Sequence, residues 1–235
     1  MDTELLKVED LHTVLFPGPL EVLREISFSV RKGEIVGVVG ESGSGKTLLA
    51  YSLLRLLPRG KDHHPRGKVL FQTRDLLSLP EKEMNKIRGN RITMIFQEPL
   101  SALNPVLTVG KQISEPLLYH TALSKKEIRE KVLSILEELK IPDPEFVFHQ
   151  YPFELSGGMR QRVMIAMAII TSPDLLIADE PTTALDVTIE RQILGILKSL
   201  NRERALAILF ITHDIALVYE LCSRCVVLYA GEIVE

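Results

Sequence analysis

Residues 37–47 read GVVGESGSGKT, in which Gly40, Gly43 and Gly45 share a short loop with Ser42 and Ser44, ahead of Lys46 and Thr47. Glycine in such numbers costs conformational entropy, so the loop needs a use for bare backbone. The flanks supply one. EIVGVV (34–39) has the β-branched run of a buried strand, and TLLAYSLLRLL reads as a helix that stops at Pro58. Gly40 and Gly45-Lys46-Thr47 fit G-x-x-x-x-G-K-[ST] in the strand–loop–helix setting a phosphate loop requires. Backbone N–H groups from Gly40 through Glu41, Ser42, Gly43, Ser44 and Gly45 would cradle phosphate oxygens, and the helix N-terminus adds partial positive charge. Lys46 would reach the β- and γ-phosphates of a nucleotide, and the Thr47 hydroxyl would ligate Mg²⁺.

A metal-bound phosphate needs a carboxylate across the sheet. DLLIADE (174–180) ends an apolar run on Asp179 and Glu180, at the strand end where parallel sheets bind ligands. Asp179 is the metal-side acid; Glu180 is placed to orient or deprotonate an attacking water. A second anion turn follows from ELSGGMRQRVMIAMA (154–168), where Ser156, Gly157 and Gly158 open an apolar helix. One chain thus carries two phosphate-binding turns.

The elements that must hold these residues alternate. Short strands at 5–11 and 25–30 precede the glycine loop as an antiparallel entry, and 67–71 and 92–96 follow as strands. SKKEIREKVLSILEELKIP (124–142) is a helix with Ser124 as its cap and Ile128, Val132, Ile135, Leu136 and Leu139 on one face. IPDPEFVFHQYPFE reads as a loop, and a helix runs from Gly157 to about Ile170. Strand 174–179, helix 187–203, strand 206–212, helix 214–221 and strand CVVLYA complete the rhythm. The fold class expected is α/β: a parallel-sheet core covered on both faces, an antiparallel β subdomain and an α-helical subdomain. A single domain of 1–235 is expected, with 1–97 and 171–235 as core and about 98–170 as the helical part.

Of 235 residues, 46% are hydrophobic and 25% charged, with a net charge of -3, so no global basic field exists to hold nucleic acid. No apolar run approaches the roughly 18 residues of a membrane span. MDTELLKVED has no signal-peptide core, and the protein is expected in the cytoplasm, reaching a membrane only through partners. Cys222 and Cys225 cannot complete a four-ligand metal set and read as buried core thiols; His63 and His64 read as solvated loop residues.

LSGGMRQR (155–162) resembles the signature of ABC (ATP-binding cassette) ATPases, and six family motifs stand in the expected order. Gln97 matches the Q-loop glutamine, Asp186 in TTALD the D-loop, and His213 after LAILFIT the switch histidine. The resemblance implies a RecA-like P-loop ATPase that pairs head to tail with a second cassette. Each ATP then lies between the phosphate loop of one and the signature of the other. Ser156 and Gly158 would donate to the partner's γ-phosphate with Gly157 beside them, and Asp186 would border the nucleotide. His213 would contact the γ-phosphate in cis, Gln97 would join Thr47 and Asp179 on the Mg²⁺ side, and Glu180 would activate water. Phe16 is the expected adenine-stacking aromatic, with Val14 as the other occupant of that place.

FQEPLSALNPVLTVGKQISEPL (96–117), YPFELSGGMRQRVMIAMAI (151–169) and ADEPTTALDVT (178–188) resemble the oligopeptide, dipeptide and nickel importer branch. That implies a peripheral ATPase on the inner membrane face, beneath two permease subunits served by an extracytoplasmic solute-binding protein. Branch members usually carry a cysteine-containing tail that can hold an iron–sulfur cluster; none is assigned to Cys222 and Cys225. The alternative is a soluble, non-transport ABC ATPase of a cytoplasmic enzyme complex.

Overall fold

The computed structural model describes residues 4–15, 20–57, 65–97, 102–183 and 185–235. Phe16, His63 and His64 lie outside the described residues. Two sheets organise the chain. In the first, β1 (Glu4–Leu15), β2 (Leu20–Arg31), β4 (Pro65–Phe71) and β5 (Arg74–Asp75) pair antiparallel in the order β2-β1-β4-β5. In the second, β3 (Ile35–Val39), β6 (Ile92–Ile95), β7 (Leu175–Asp179), β8 (Ala207–Thr212) and β9 (Arg224–Tyr229) run parallel. β10 (Glu232–Ile233) closes that sheet antiparallel to β9, in the order β10-β9-β3-β8-β7-β6.

Alternation along the parallel strands divides two cores, because successive side chains point to opposite sheet faces. Ile35, Leu176, Ala178, Ile208 and Phe210 face one core, and Val36, Val38, Leu175, Ile177, Leu209 and Ile211 the other. The second core is closed by the antiparallel sheet and by α1 (Lys46–Leu53) through Leu49, Ala50 and Leu53, beside the short helix α2 (Glu81–Met84). The first is closed by α3 (Val109–His120), α4 (Lys125–Glu138), α5 (Pro144–His149), α6 (Gly157–Ile169), α7 (Val187–Arg204) and α8 (Ile215–Leu221). Each large aliphatic buried this way contributes about 1.5–3 kcal/mol.

α4 starts at a capping box: Ser124 N donates to Glu127 Oε2 at 2.7 Å and Glu127 N to Ser124 Oγ at 3.3 Å. The stretch read as a loop instead contains α5 and a 3-10 turn at Pro152–Glu154. Asp143 accepts from Phe146 N as the α5 cap, so Pro144 begins a helix where it suggested a break. α3 was not legible, since Gly110 and Pro116 interrupt its pattern. α1 ends at Leu53, short of Leu57. The two cysteines are not core thiols: Cys225 is exposed and Cys222 half-buried. Burial pushes the Cys222 thiol up to about 12, with Cys225 adding to the rise.

Candidate active site

Parallel register brings the chemistry to one sheet edge. Val39 lies opposite Thr212 and Asp179 opposite Ile211, so Gly40, Glu180 and His213 all leave neighbouring strands at the same end. Between them is a cleft of about 480 Å³ lined by the glycine loop, Gln97, Glu180 and, on the far wall, Leu15, Glu21, Val22 and Gly231.

The loop is held by close backbone approach. A Cβ on Gly40 would drive into the Leu228 carbonyl and lie 2.7 Å from Ser44 Oγ, so only glycine fits there. Gly43 and Gly45 adopt φ of 82° and 105°, the region glycine supplies without steric cost. Ser44 O accepts from Gly231 N at 3.0 Å, which ties the loop to the turn after β9. Gly45 caps α1 with no side-chain acceptor, leaving the first N–H groups of the helix to an incoming anion. Lys46, only 6% exposed, curls back to donate to Gly40 O and Glu41 O, each at 2.8 Å. Its ammonium is therefore fixed inside the loop that would surround a phosphate chain.

The adjacent acids are driven apart by their surroundings. Asp179 is 1% exposed, and neither carboxylate oxygen has a hydrogen-bond partner. Burial raises its pKa to about 6; the nearby Thr47 hydroxyl opposes the rise without closing a bond of ordinary geometry, Glu180 adds to it and Lys46 opposes it. Glu180 is also penalised by burial, yet its pKa is lowered because Thr183 and His213 bond to it and the His213 and Lys46 charges favour the anion. Thr183 Oγ1 donates to Glu180 Oε2 at 2.8 Å and Gln97 Nε2 to the same oxygen at 3.1 Å. His213 Nδ1 lies 3.2 Å from Oε1. An ionised carboxylate only accepts, so Nδ1 is the donor in this contact. Glu180 has φ 45°, a sparsely populated setting for a non-glycine residue, and such strain gathers at functional sites.

The sequence-derived residues thus fall into two groups. Ser42, Gly43, Gly45, Lys46, Thr47, Gln97 and Glu180 line the cleft; Gly40 and Glu41 adjoin it through Lys46, Ser44 as part of the same loop, Asp179 beside Thr47 and His213 through Glu180. Ser156, Gly157, Gly158 and Asp186 are not part of its lining. Ser156 caps α6 by accepting from Met159 N, with open space above Gly157. Asp186 caps α7 by accepting from Ile189 N. Thr183 was missed, although a hydroxyl three residues beyond a strand-end acid is a usable signal. Leu15, Glu21, Val22 and Gly231 were missed as well, and nothing local marks them.

The orphaned carboxylate of Asp179 beside Thr47 fits a hard divalent cation, which favours oxygen ligands.

The family model described as ABC transporter matches residues 23–183. A probable peptide ABC transporter ATP-binding protein of Sinorhizobium fredii is 51% identical over 98% of this chain and 70% of its own. The oligopeptide transport ATP-binding protein OppD of Bacillus subtilis is 47% identical over 99% of this chain and 66% of its own. Among solved structures, the ATP-binding cassette MJ0796, a dimer bound to ADP and Pi in a post-hydrolysis state, superposes with a TM-score of 0.85 at 30% identity. That match covers 98% of this chain and 97% of the other.

Proposed function

The chain belongs to the ABC transporter family, and on that premise we propose that it binds and hydrolyses ATP as the energising subunit of an importer. Its cargo is a peptide or a related small solute, nickel among the alternatives. The observation that carries the reading is the convergence of Gln97, Thr183 and His213 on Glu180, across the cleft mouth from a lysine-bearing phosphate loop.

Lys46 exchanges its two carbonyl contacts for the β- and γ-phosphate oxygens, and the loop N–H groups hold the rest of the chain. Glu180, kept ionised by its partners, takes the proton of a water whose oxygen bonds to the γ-phosphorus. The bond to the β,γ-bridging oxygen breaks and ADP leaves. His213 presents Nε2 toward the γ-phosphate, Gln97 orients the water, and Thr47 and Asp179 with Gln97 would hold Mg²⁺, which supplies charge neutralisation to the phosphates.

Ser156 and the N–H groups of Gly157 and Gly158 do not line this cleft and would serve a second cassette's nucleotide in a head-to-tail pair, with Asp186 at the seam. Dimeric cassettes among the structural relatives support the pairing. No described helix is long and apolar enough to cross a membrane. We infer that two permease subunits, fed by an extracytoplasmic solute-binding protein, carry the solute, with this chain on the inner membrane face. An apolar groove of about 290 Å³ beside Gln97, lined by Leu54, Phe96, Ala102, Pro116, Met164 and Met167, is suited to receive a permease helix.

A Glu180→Gln chain, tagged in its native cell and isolated with membranes under Mg·ATP, should retain nucleotide and bring down multi-span permeases with a solute-binding protein. Recovery solely with soluble enzymes would overturn the transport reading.

A further inference from the structure

α6 does more than present Ser156. Its Gln161 side chain is 2% exposed, and Nε2 donates to the Pro181 carbonyl at 2.5 Å. Pro181 follows Glu180 directly, and it is the first peptide of the segment that returns to Asp186 and α7. The far end of that segment also meets α6. A Cβ on Gly158 would lie 2.9 Å from Ile189 Cγ2, and Ile189 N is the donor that Asp186 captures. α6 therefore touches the stretch 180–189 at both ends, once through a buried hydrogen bond and once through bare-backbone packing.

The position matters because Glu180 is strained. A positive φ at a residue before proline persists only where neighbours over-determine it. Glu180 N donates to Ile211 O at 2.9 Å, and Gln97, Thr183 and His213 hold the carboxylate, but all of these restraints come from the strand ends or the residues just after them. Gln161 is the restraint that arrives from the helix bearing Ser156.

We propose that Gln161 is a positioning residue that couples the Ser156 turn to the Glu180 carboxylate of the same chain. This rests on the paired reading above. In that pair the turn engages the partner's ATP and the carboxylate serves the chain's own, so Gln161 joins the two sites. Closure of Ser156 on one nucleotide draws α6 inward, and the amide passes that movement to the peptide beside Glu180.

The test compares Gln161→Met, equal in length without a donor, and Gln161→Asn, a donor one carbon too short, with the unsubstituted chain. Affinity for a fluorescent ATP analogue in dilute protein should stay within about twofold, while kcat falls about tenfold at similar KM through misplacement of the carboxylate. The Hill coefficient in ATP, at most about 2 for two sites, should drop toward about 1. A lowered Tm with wild-type kcat and Hill coefficient would mean that Gln161 only satisfies the Pro181 carbonyl, and would overturn the coupling. Should neither variant fold, amide exchange at Thr182 and Thr183 decides in the unsubstituted chain under saturating ATP. Slower exchange in concentrated than in dilute protein is expected, and equal exchange refutes the link. ATPase activity independent of dilution in the unsubstituted chain would remove the pairing itself, and the inference with it.

Discussion

The two helix N-termini built for anions differ in how far the chain completes them. At the glycine loop, Gly40 is pinned against Leu228, Ser44 is tied to Gly231, and Lys46 is buried among the loop carbonyls. α1 has no side-chain cap, so its donors wait for a ligand. At the second turn, Ser156 caps its own helix and Gly157 faces open space. The first turn is pre-organised by its own chain; the second stands outside the chain's own cleft and, on the paired reading proposed above, completes the partner's.

Lys46→Ala should separate the two most sharply. Losing a charge-assisted contact of up to about 3 kcal/mol weakens ATP binding roughly a hundredfold in equilibrium titration. Retained affinity would mean the loop binds through backbone alone. Asp179→Asn tests the tension the complete site carries. Because the folded-state pKa is raised to about 6 from 3.8, the folded chain keeps this proton longer than the unfolded one. Stability therefore falls as pH rises from about 4 to about 6 and is flat above that. The asparagine variant should lack that slope and gain roughly 3 kcal/mol at neutral pH without nucleotide. It should also lose Mg²⁺-dependent ATP binding, the usual exchange of function for stability. An unchanged pH profile in denaturant melts would contradict the buried orphan carboxylate.

Gly40→Ala against Gly157→Ala probes the packing contrast. Forcing a methyl into backbone costs about 1–3 kcal/mol, or about 2–12 °C of Tm in a domain this size, whereas Gly157→Ala should leave Tm unchanged. Equal melting points would erase the distinction. The smallest effect on nucleotide binding is expected for Ser156→Ala, which removes a cap worth about 1 kcal/mol of stability. Binding to the dilute chain should stay within about twofold, since no bond from Ser156 reaches the chain's own cleft. A large loss of affinity there would show that the turn serves its own nucleotide.

Local chemistry was legible and long-range chemistry was not. The glycine loop, the Ser124 capping box and the buried strands are specified by residues within a few positions of one another, where steric and hydrogen-bonding preferences act without a fold. α3 escaped because Gly110 and Pro116 break its pattern, and α5 because Pro144 at a helix start looks like a stop. Cys225 was placed inside because its strand is apolar, but the strand begins at the sheet end where that face is open.

The sequence by itself therefore determined that the chain carries a phosphate loop, which acids stand near it, and that a second Ser-Gly-Gly turn opens a helix. Tertiary structure decided what each acid does. Asp179 and Glu180 are adjacent and chemically alike, yet one is buried without partners and raised, while the other collects Gln97, Thr183 and His213 and is lowered. Desolvation and hydrogen bonding set a carboxylate's pKa, and both depend on residues that only folding brings within reach.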